Sequence, residues 1–345
     1  MHNSLKTISF NSAKKQKLEA QEEMQRIKYK IENWSEYNKA LIERGKITLW
    51  VEEGLIESWI NPDKNGRRGR SNTYSDKAIK FCLILKYLFR LPYRAAEGWI
   101  NSLIELMRID LKSPSYTQMQ RRSKKLNVKL SRMPEPKGNL DIVVDSTGLK
   151  VYGEGEWKVR QHGVGKRRTW KKLHITMDPL DHEIVSWKLT ENDKSDDQVF
   201  PDLLKNIEED VITSFGDGAY DKKPCYDACH EKGTSLITPP RKDAILQKEK
   251  KIELSMVPRD RAIERIKSLE KKLGSIEEAR KQWKIEADYH TRSVAETAMF
   301  RFKTICGENL SSRTAENQRT EVALKINILN QFTKLGMPKS FPEAA

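Results

Sequence analysis

Residues 289–303 read YHTRSVAETAMFRFK, and four of their side chains are suited to gripping a charged substrate. In an α-helix, at 100° per residue, Tyr289, Arg292, Glu296 and Lys303 fall at roughly 0°, 300°, 340° and 320°. A phenol, a guanidinium, a carboxylate and an ammonium then share one narrow face. Val294, Ala298, Phe302 and Ile305 fall at roughly 140° to 220° and supply a buried side, while Phe300 breaks the pattern by joining the polar set. A carboxylate flanked by cations suits a phosphate site. It equally suits a surface helix laced by one i,i+4 pair, Arg292 with Glu296. The spacing alone leaves both open.

Two further acids end predicted strands. Ile142–Asp145 reads as a short β-branched strand closing on Asp145, and Val211–Gly216 as another with Asp217 at its end. Each has an ordinary alternative, as a turn-capping residue in DSTG and as a strand-end turn residue before Gly218. Residue chemistry by itself does not choose them over Asp141, Asp193, Asp197 or Asp221. Cys225 and Cys229 with His230 beside them lack a fourth ligand at metal-site spacing, so they read as helix packing. His162 and His174 receive no catalytic role. No Ser–His–Asp arrangement supports a covalent route, and nothing marks Tyr289 as a nucleophile.

Tyr, two residues, Arg, three residues, Glu, six residues, Lys resembles the signature of the DDE transposases of the IS4/IS5 superfamily of bacterial insertion sequences. The runs DSTGLKVYGEGEWKVRQHGVGKRRTWKKLHITMD (145–178) and FGDGAYD (215–221) resemble the same family, most closely its IS5/IS903-type branch. The likeness runs from about residue 30 to the end. It implies Asp145, Asp217 and Glu296 as the catalytic acids and metal ligands, with Asp145 bridging two Mg²⁺ ions and the other two acids holding one each. Mn²⁺ is expected to substitute. Oxygen ligands suit such hard cations, which can activate an attacking oxygen and stabilise a leaving one. Tyr289, Arg292 and Lys303 match the family residues that grip the phosphates of the cut end. The implied partners are double-stranded DNA, as terminal inverted repeats and target, and a second copy of the chain in the DNA complex. Two rival readings stand beside this: a ribonuclease-H-like nuclease that cuts without joining, and a catalytically idle DNA-binding repressor derived from a transposase.

The elements that must position these residues can be read in order. The 345 residues carry a formal charge of +15, which points to a polyanion, nucleic acid before membrane. Four cysteines make no disulfide framework. No membrane span or signal peptide is expected, and a cytoplasmic, nucleoid-associated protein is the default. Residues 1–30 form a polar lead-in. Trp34, Tyr37, Leu41, Trp50, Leu55, Ile56 and Trp59 are expected to build a small aromatic core. Asn61–Arg70, with Arg67 and Arg68, is a solvated linker or a basic loop along a phosphate backbone.

Helices over 76–90 and 93–108, a break at Leu111–Pro114, and a basic third helix opened by the Ser115/Gln118 capping box follow a helix-turn-helix plan. Arg121 and Arg122 lie near the front of that third helix as DNA contacts. From 139 the period changes to 2: a strand, a hairpin of Thr169–Asp178 and His182–Thr190, a helix from Ser195 to about 209, a strand, a helix over 222–232 and a strand over 234–238. That order is the one found in ribonuclease-H-like folds, which the resemblance also implies. Lys166, Arg167 and Arg168, with Lys171 and Lys172, form a basic strip on the hairpin.

Residues 239–288 read as a helical insertion in which Trp283 either packs or stacks on an unpaired base. The expectation is a mixed α/β chain. It has a helical DNA-binding domain (31–138), a ribonuclease-H-like catalytic domain (139–306) and a C-terminal helix and tail (307–345).

Overall fold

The computed structural model describes residues 29–61, 72–132, 138–151, 170–247 and 252–342. Arg67, Arg68, His162, Lys166, Arg167 and Arg168 lie outside the described residues. The chain divides into two units, residues 1–49 with 334–345, and residues 50–333.

In the terminal unit, β1 (Tyr29–Ile31) precedes α1 (Trp34–Glu43) and pairs antiparallel with the last strand, Ser340–Pro342. Asn33 ties the two chain ends: its Nδ2 donates to the Met337 carbonyl at 3.0 Å and its Oδ1 accepts the Lys339 N–H at 2.8 Å. Gly336 has φ +142°, and a Cβ there would stand 3.2 Å from the Ala40 methyl. The residues of the expected aromatic core are divided between the two units. Trp34 is exposed in this unit, whereas Trp50, Leu55 and Trp59 are buried in the other.

The larger unit begins with α2 (Asp76–Leu88), α3 (Tyr93–Leu106) and α4 (Tyr116–Ser123). Side-chain caps open α2 and α4, the second of them the expected box. Ser75 accepts the Ala78 N–H, and the Ser115/Gln118 box closes from both sides. Seven consecutive residues of α2, Phe81 to Tyr87, are buried. A helix covered all round belongs inside a larger body. Tyr87 Oη lies 3.5 Å from Ser312 Oγ, and the Ser123 carbonyl accepts from Thr320 Oγ1 at 2.8 Å.

The expected run of strands, hairpin, helix, strand, helix and strand follows: β2 (Asn139–Val151), β3 (Trp170–Met177), β4 (Ile184–Glu191), α5 (Asp196–Lys205), β5 (Asp210–Phe215), α6 (Lys223–Lys232) and β6 (Ser235–Ile237). The sheet order is β4-β3-β2-β5-β6, antiparallel on the hairpin side of β2 and parallel on the other. Leu140, Ile142 and Val144 on one face of β2 meet Val199, Phe200, Leu203 and Tyr226 in a single core. Val143, with the opposite direction of side chain, is also wholly buried. Both faces of this central strand are covered.

β2 corrects one expectation. It does not end at Asp145 but runs on to Val151, because pairing with β3 continues from Asp145 opposite Ile175 to Lys150 opposite Trp170. Gly148, which resembles a turn residue in the sequence, is a strand residue under an aromatic ring. A Cβ there would meet Trp170 Cε3 at 3.3 Å. α5 also stops at Lys205, short of the expected 209, and Ser195 makes no side-chain cap bond.

The insertion is a helical hairpin, α7 (Val257–Leu273) and α8 (Ile276–Glu286), turned by Gly274 at φ +74° and reopened by the Ser275 cap. Ile266, Leu269, Ala279 and Trp283 form its own small core. Arg259 anchors its foot, donating from Nε to buried Asp221 at 2.8 Å. A 3₁₀ turn at Tyr289–Arg292 leads into α9 (Ser293–Cys306). β7 (Asn309–Leu310) then pairs with the far end of β2, and α10 (Ala315–Leu335) precedes β8 (Ser340–Pro342). Among the described residues no helix is long and apolar enough to cross a membrane.

α10 is far more buried than a tail helix. Asn330, with no exposed surface, donates to the carbonyls of Ser131 at 3.0 Å and Ile184 at 2.9 Å, and accepts the Ile184 N–H at 2.9 Å. Asn330→Ala strands those backbone groups. It should cost about 1–3 kcal/mol and lower the melting temperature by ~5 °C, readable by calorimetry.

Candidate active site

The site is built by strand register. In the parallel pair β2–β5, Val143 faces Phe215, and each strand carries its acid two residues further on. Neighbouring strands lie about 4.8 Å apart, so Asp145 and Asp217 emerge side by side. Gly216 makes the bend after β5 possible. A Cβ there would stand 2.8 Å from the Tyr220 ring, inside contact distance. Asp217 then opens a short 3₁₀ turn by accepting the Ala219 N–H at 2.8 Å, and its carbonyl accepts from Thr238 Oγ1 at 2.6 Å.

Asp145 Oδ1 takes the N–H of Ser146 at 2.8 Å, and Arg292 Nη2 stands 3.8 Å from Oδ2. Burial pushes the Asp145 carboxyl above its ordinary value. The Ser146 N–H and Arg292 pull it back, and the negative charges of Asp217 and Asp196 push it up again. The acids repel one another, Arg292 opposes that repulsion, and burial is the largest cause of the net rise.

The Tyr289–Lys303 stretch is not one helix. Asp288 adopts a left-handed backbone, φ +49°, which Asp tolerates better than most residues. Tyr289–Arg292 is 3₁₀ and α-geometry starts only at Ser293. The buried side of α9 is Ala295, Ala298, Met299, Phe302 and Cys306, which keeps the expected Ala298 and Phe302 and has Ala295 and Cys306 in place of Val294 and Ile305. Glu296 sits in the first turn, where the helix dipole favours a carboxylate. It is 64% exposed and accepts from Arg292 Nη1 at 2.6 Å. Arg292 therefore bridges Glu296 to Asp145.

Tyr289 is half-buried beside the same acids. Burial first, then the charges of Asp217, Asp145 and Glu296 against the opposing Arg292, push its phenol up to about 12, so it stays a neutral donor. Lys303 lies seven residues beyond Glu296, about 10 Å along the helix. It flanks the group rather than joining it. Phe300 is 69% exposed on the side of Glu296.

Among the described residues no group of three or more His, Cys, Asp or Glu side chains stands close enough to hold a metal ion. The structure brings Asp145 and Asp217 together, while Glu296 is turned onto Arg292. An all-oxygen donor set of neighbouring carboxylates fits a hard divalent cation, which needs one or two carboxylates plus phosphate and water.

The other acids are spoken for or stand in solvent. Asp197 pairs with Lys222 at 2.7 Å and Asp221 with Arg259 at 2.8 Å, while Asp141 and Asp193 are exposed. A residue absent from the sequence reading stands close by: Asp196, at the start of α5. Burial opposes its ionisation, but hydrogen bonds from His174, Lys172 and Ser146 outweigh that and hold its carboxyl well below the usual range. His174 is fully buried, its Nδ1 3.1 Å from Asp196 Oδ1 and its Nε2 3.0 Å from Thr190 Oγ1. In sequence Asp196 looks like any first-turn acid, and only β3 pairing beside β2 brings it to Ser146.

Lys171 and Lys172 of the basic strip are paired, with Glu191 and Asp196. Arg122 is turned inward, donating to the Tyr74 carbonyl at 2.8 Å and pairing with Asp76; Arg121 is exposed. Trp283 is 6% exposed and tilts against Tyr289 at 6.3 Å between ring centres, so it packs. Cys225 and Cys229 are likewise buried in the core.

Because folding raises the Asp145 carboxyl, wild type loses stability as pH rises from the ordinary Asp value, about 3.9, through the folded value. Asp145→Asn should therefore melt above wild type at neutral pH, with the gap closing below about pH 4. Melting curves across pH check this.

A family model described as "Transposase DDE domain" matches residues 136–331, more than half of the chain, and a second model of the same description matches residues 42–154. Among solved structures, a piggyBac transposase synaptic complex with hairpin DNA aligns at 8% identity and TM-score 0.38, over 83% of this chain and 73% of that one. The Drosophila P element transposase strand transfer complex aligns at 12% and 0.31, over 80% and 70%. The Mos1 strand transfer complex aligns at 9% and 0.21, over 71% and 81%. Scores this low carry no structural argument, whereas the family matches do.

Proposed function

The chain belongs to the DDE transposase family, of the type found in IS4/IS5 insertion sequences, and on that premise we propose that it moves an element of the IS5 branch. It binds the terminal inverted repeats, cuts the ends by hydrolysis and joins the freed 3′ ends to target DNA. In the cut, a water oxygen bonds to phosphorus as the bond to the 3′ oxygen breaks, leaving a 3′ hydroxyl and a 5′ phosphate. In the joining step that hydroxyl attacks a target phosphodiester and displaces the target's own 3′ oxygen. The observation that carries this reading is the side-by-side pair Asp145 and Asp217, bridged through Arg292 to Glu296.

Asp145 and Asp217, with Glu296, are the residues that would hold divalent cations, Mg²⁺ or Mn²⁺. When bound, such ions activate the attacking oxygen and stabilise the leaving one. The chain's own groups do the rest. Arg292 clamps a phosphate with its planar fork, and in turning to that phosphate releases Glu296 toward the other two acids. Tyr289, kept neutral, donates a hydrogen bond to a phosphate oxygen. Lys303 adds a point charge along the same strand.

The ribonuclease-H-like assignment is supported by the β4-β3-β2-β5-β6 order. α2–α4 serve end recognition, with exposed Gln120, Arg121, Lys124 and Lys125 toward DNA and Arg122 holding α4 to the start of α2. Arg67, Arg68 and Lys166–Arg168 add backbone contacts. Joining two ends calls for two copies of the chain, most simply related by a two-fold axis.

The test uses end DNA, a target plasmid and Mg²⁺. Glu296→Gln should lower both cutting and joining more than about 100-fold with end binding unchanged. Loss of binding would make Glu296 structural; cutting without joining by wild type would favour a plain nuclease.

A further inference from the structure

A cavity of about 1200 Å³ opens where the turn between α2 and α3 meets the far end of β2, the last turn of α9 and the side of α10. Four cations line it, Lys86, Arg90, Arg313 and Lys325, against one acid, Glu321. Lys86, Lys325 and Glu321 are 3%, 4% and 0% exposed. Glu321 is already committed. It pairs with Lys325 at 2.9 Å and accepts the N–H groups of Ser311 and Ser312 at 3.0 and 2.9 Å. Arg90 is committed too, donating to the carbonyls of Thr304 at 2.6 Å and Ile305 at 3.1 Å and so closing the C-terminal end of α9.

Lys86 is different. Its Nζ donates to Ser311 Oγ at 3.3 Å and lies 4.2 and 4.5 Å from the ring centres of Tyr87 and Tyr93. None of these is an anion. Two buried ammonium groups share one buried carboxylate, and Lys86 feels the charge of Glu321 without a direct ion pair to it. Burial pushes its pKa down to about 8. An ammonium buried without its own counter-ion is costly, yet this one faces an open cavity with exposed Arg313 at the rim.

We propose that this cavity binds a phosphodiester of the DNA backbone, with Lys86 at its floor and Arg313 at its mouth. The assignment rests on the reading of the chain as a DNA transposase and adds a contact distant from the acids. β2 and α9 both run from the acids to the cavity. Val151 is six residues beyond Asp145, about 20 Å, and Cys306 is ten beyond Glu296, about 15 Å. With one phosphate per ~3.4 Å of strand, the cavity takes a phosphate about four to six nucleotides from the one at the acids. Lys303 lies between them on α9.

The experiment measures binding of a fluorescein-labelled duplex of about two helical turns against salt, for wild type, Lys86→Met and Arg313→Gln. Each variant should bind about tenfold more weakly at low salt and show a log–log salt slope smaller by about one. Without DNA, Lys86→Met should melt at or above the wild-type temperature, because it removes a buried ammonium whose neighbouring carboxylate, Glu321, is already paired with Lys325. Should it instead melt well below wild type, the lysine is structural and the Arg313→Gln slope decides. Wild-type affinity and slope in both variants overturn the proposal. Sodium pyrophosphate that raises the wild-type melting temperature, with duplex binding untouched in both variants, assigns the cavity to a free phosphate compound and overturns the backbone assignment. A wild type that binds no duplex sinks the transposase reading itself, and this cavity's role with it.

Discussion

The parallel register of β2 and β5 is the constraint on which the site depends. Val143 opposite Phe215 sets two carboxylates beside each other at the same level of the sheet. The strands cannot slide to relieve the repulsion, because a one-residue slip would turn buried Ile142 and Val144 out of the core they share with Val211 and Leu236. Hydrophobic packing thus holds in place a charge arrangement that electrostatics alone would not select. Sites that concentrate like charge in this way are where function commonly pays in stability.

The treatment of the surrounding acids sharpens the contrast. Asp196 has Lys172 and His174, Asp197 has Lys222, and Asp221 has Arg259, Tyr226 and the Arg241 N–H. Each is neutralised where it stands and serves as a structural tie. Asp217 takes a peptide N–H but no cation among the described residues. Asp145 shares Arg292, whose closer partner is Glu296. The chain has cations in excess, so this scarcity at the acids comes from placement and not from composition.

The insertion and the α2–α3 connection meet α9 at opposite ends. α7 and α8 bury Trp283 between them, which leaves the ring to support Tyr289 and not to reach outward. Arg90 secures the other end of α9 through its last carbonyls. The helix that presents Glu296 is thus held at its entry by an Asp288 turn and at its exit by a guanidinium from the α2–α3 connection. A helix fixed at both ends can aim one side chain without relying on its own short length.

Local signals were legible in the sequence wherever the deciding forces are local. The Ser115/Gln118 cap and the alternation of strands and helices from 139 onward depend on neighbours a few residues away. The charged spacing from Tyr289 to Lys303 was visible too, although the 3₁₀ turn that replaces its first turn was not. Tertiary structure decided the rest. It carried β2 past Asp145 by pairing with β3, turned Arg122 inward, buried Trp283 and α10, and brought Asp196 to Ser146. These outcomes are set by register and packing between segments far apart in the chain, such as Asn330 with Ser131. A linear chain records which acids it has; only the pairing of β2 with β5 and the packing of α9 decide which of them meet.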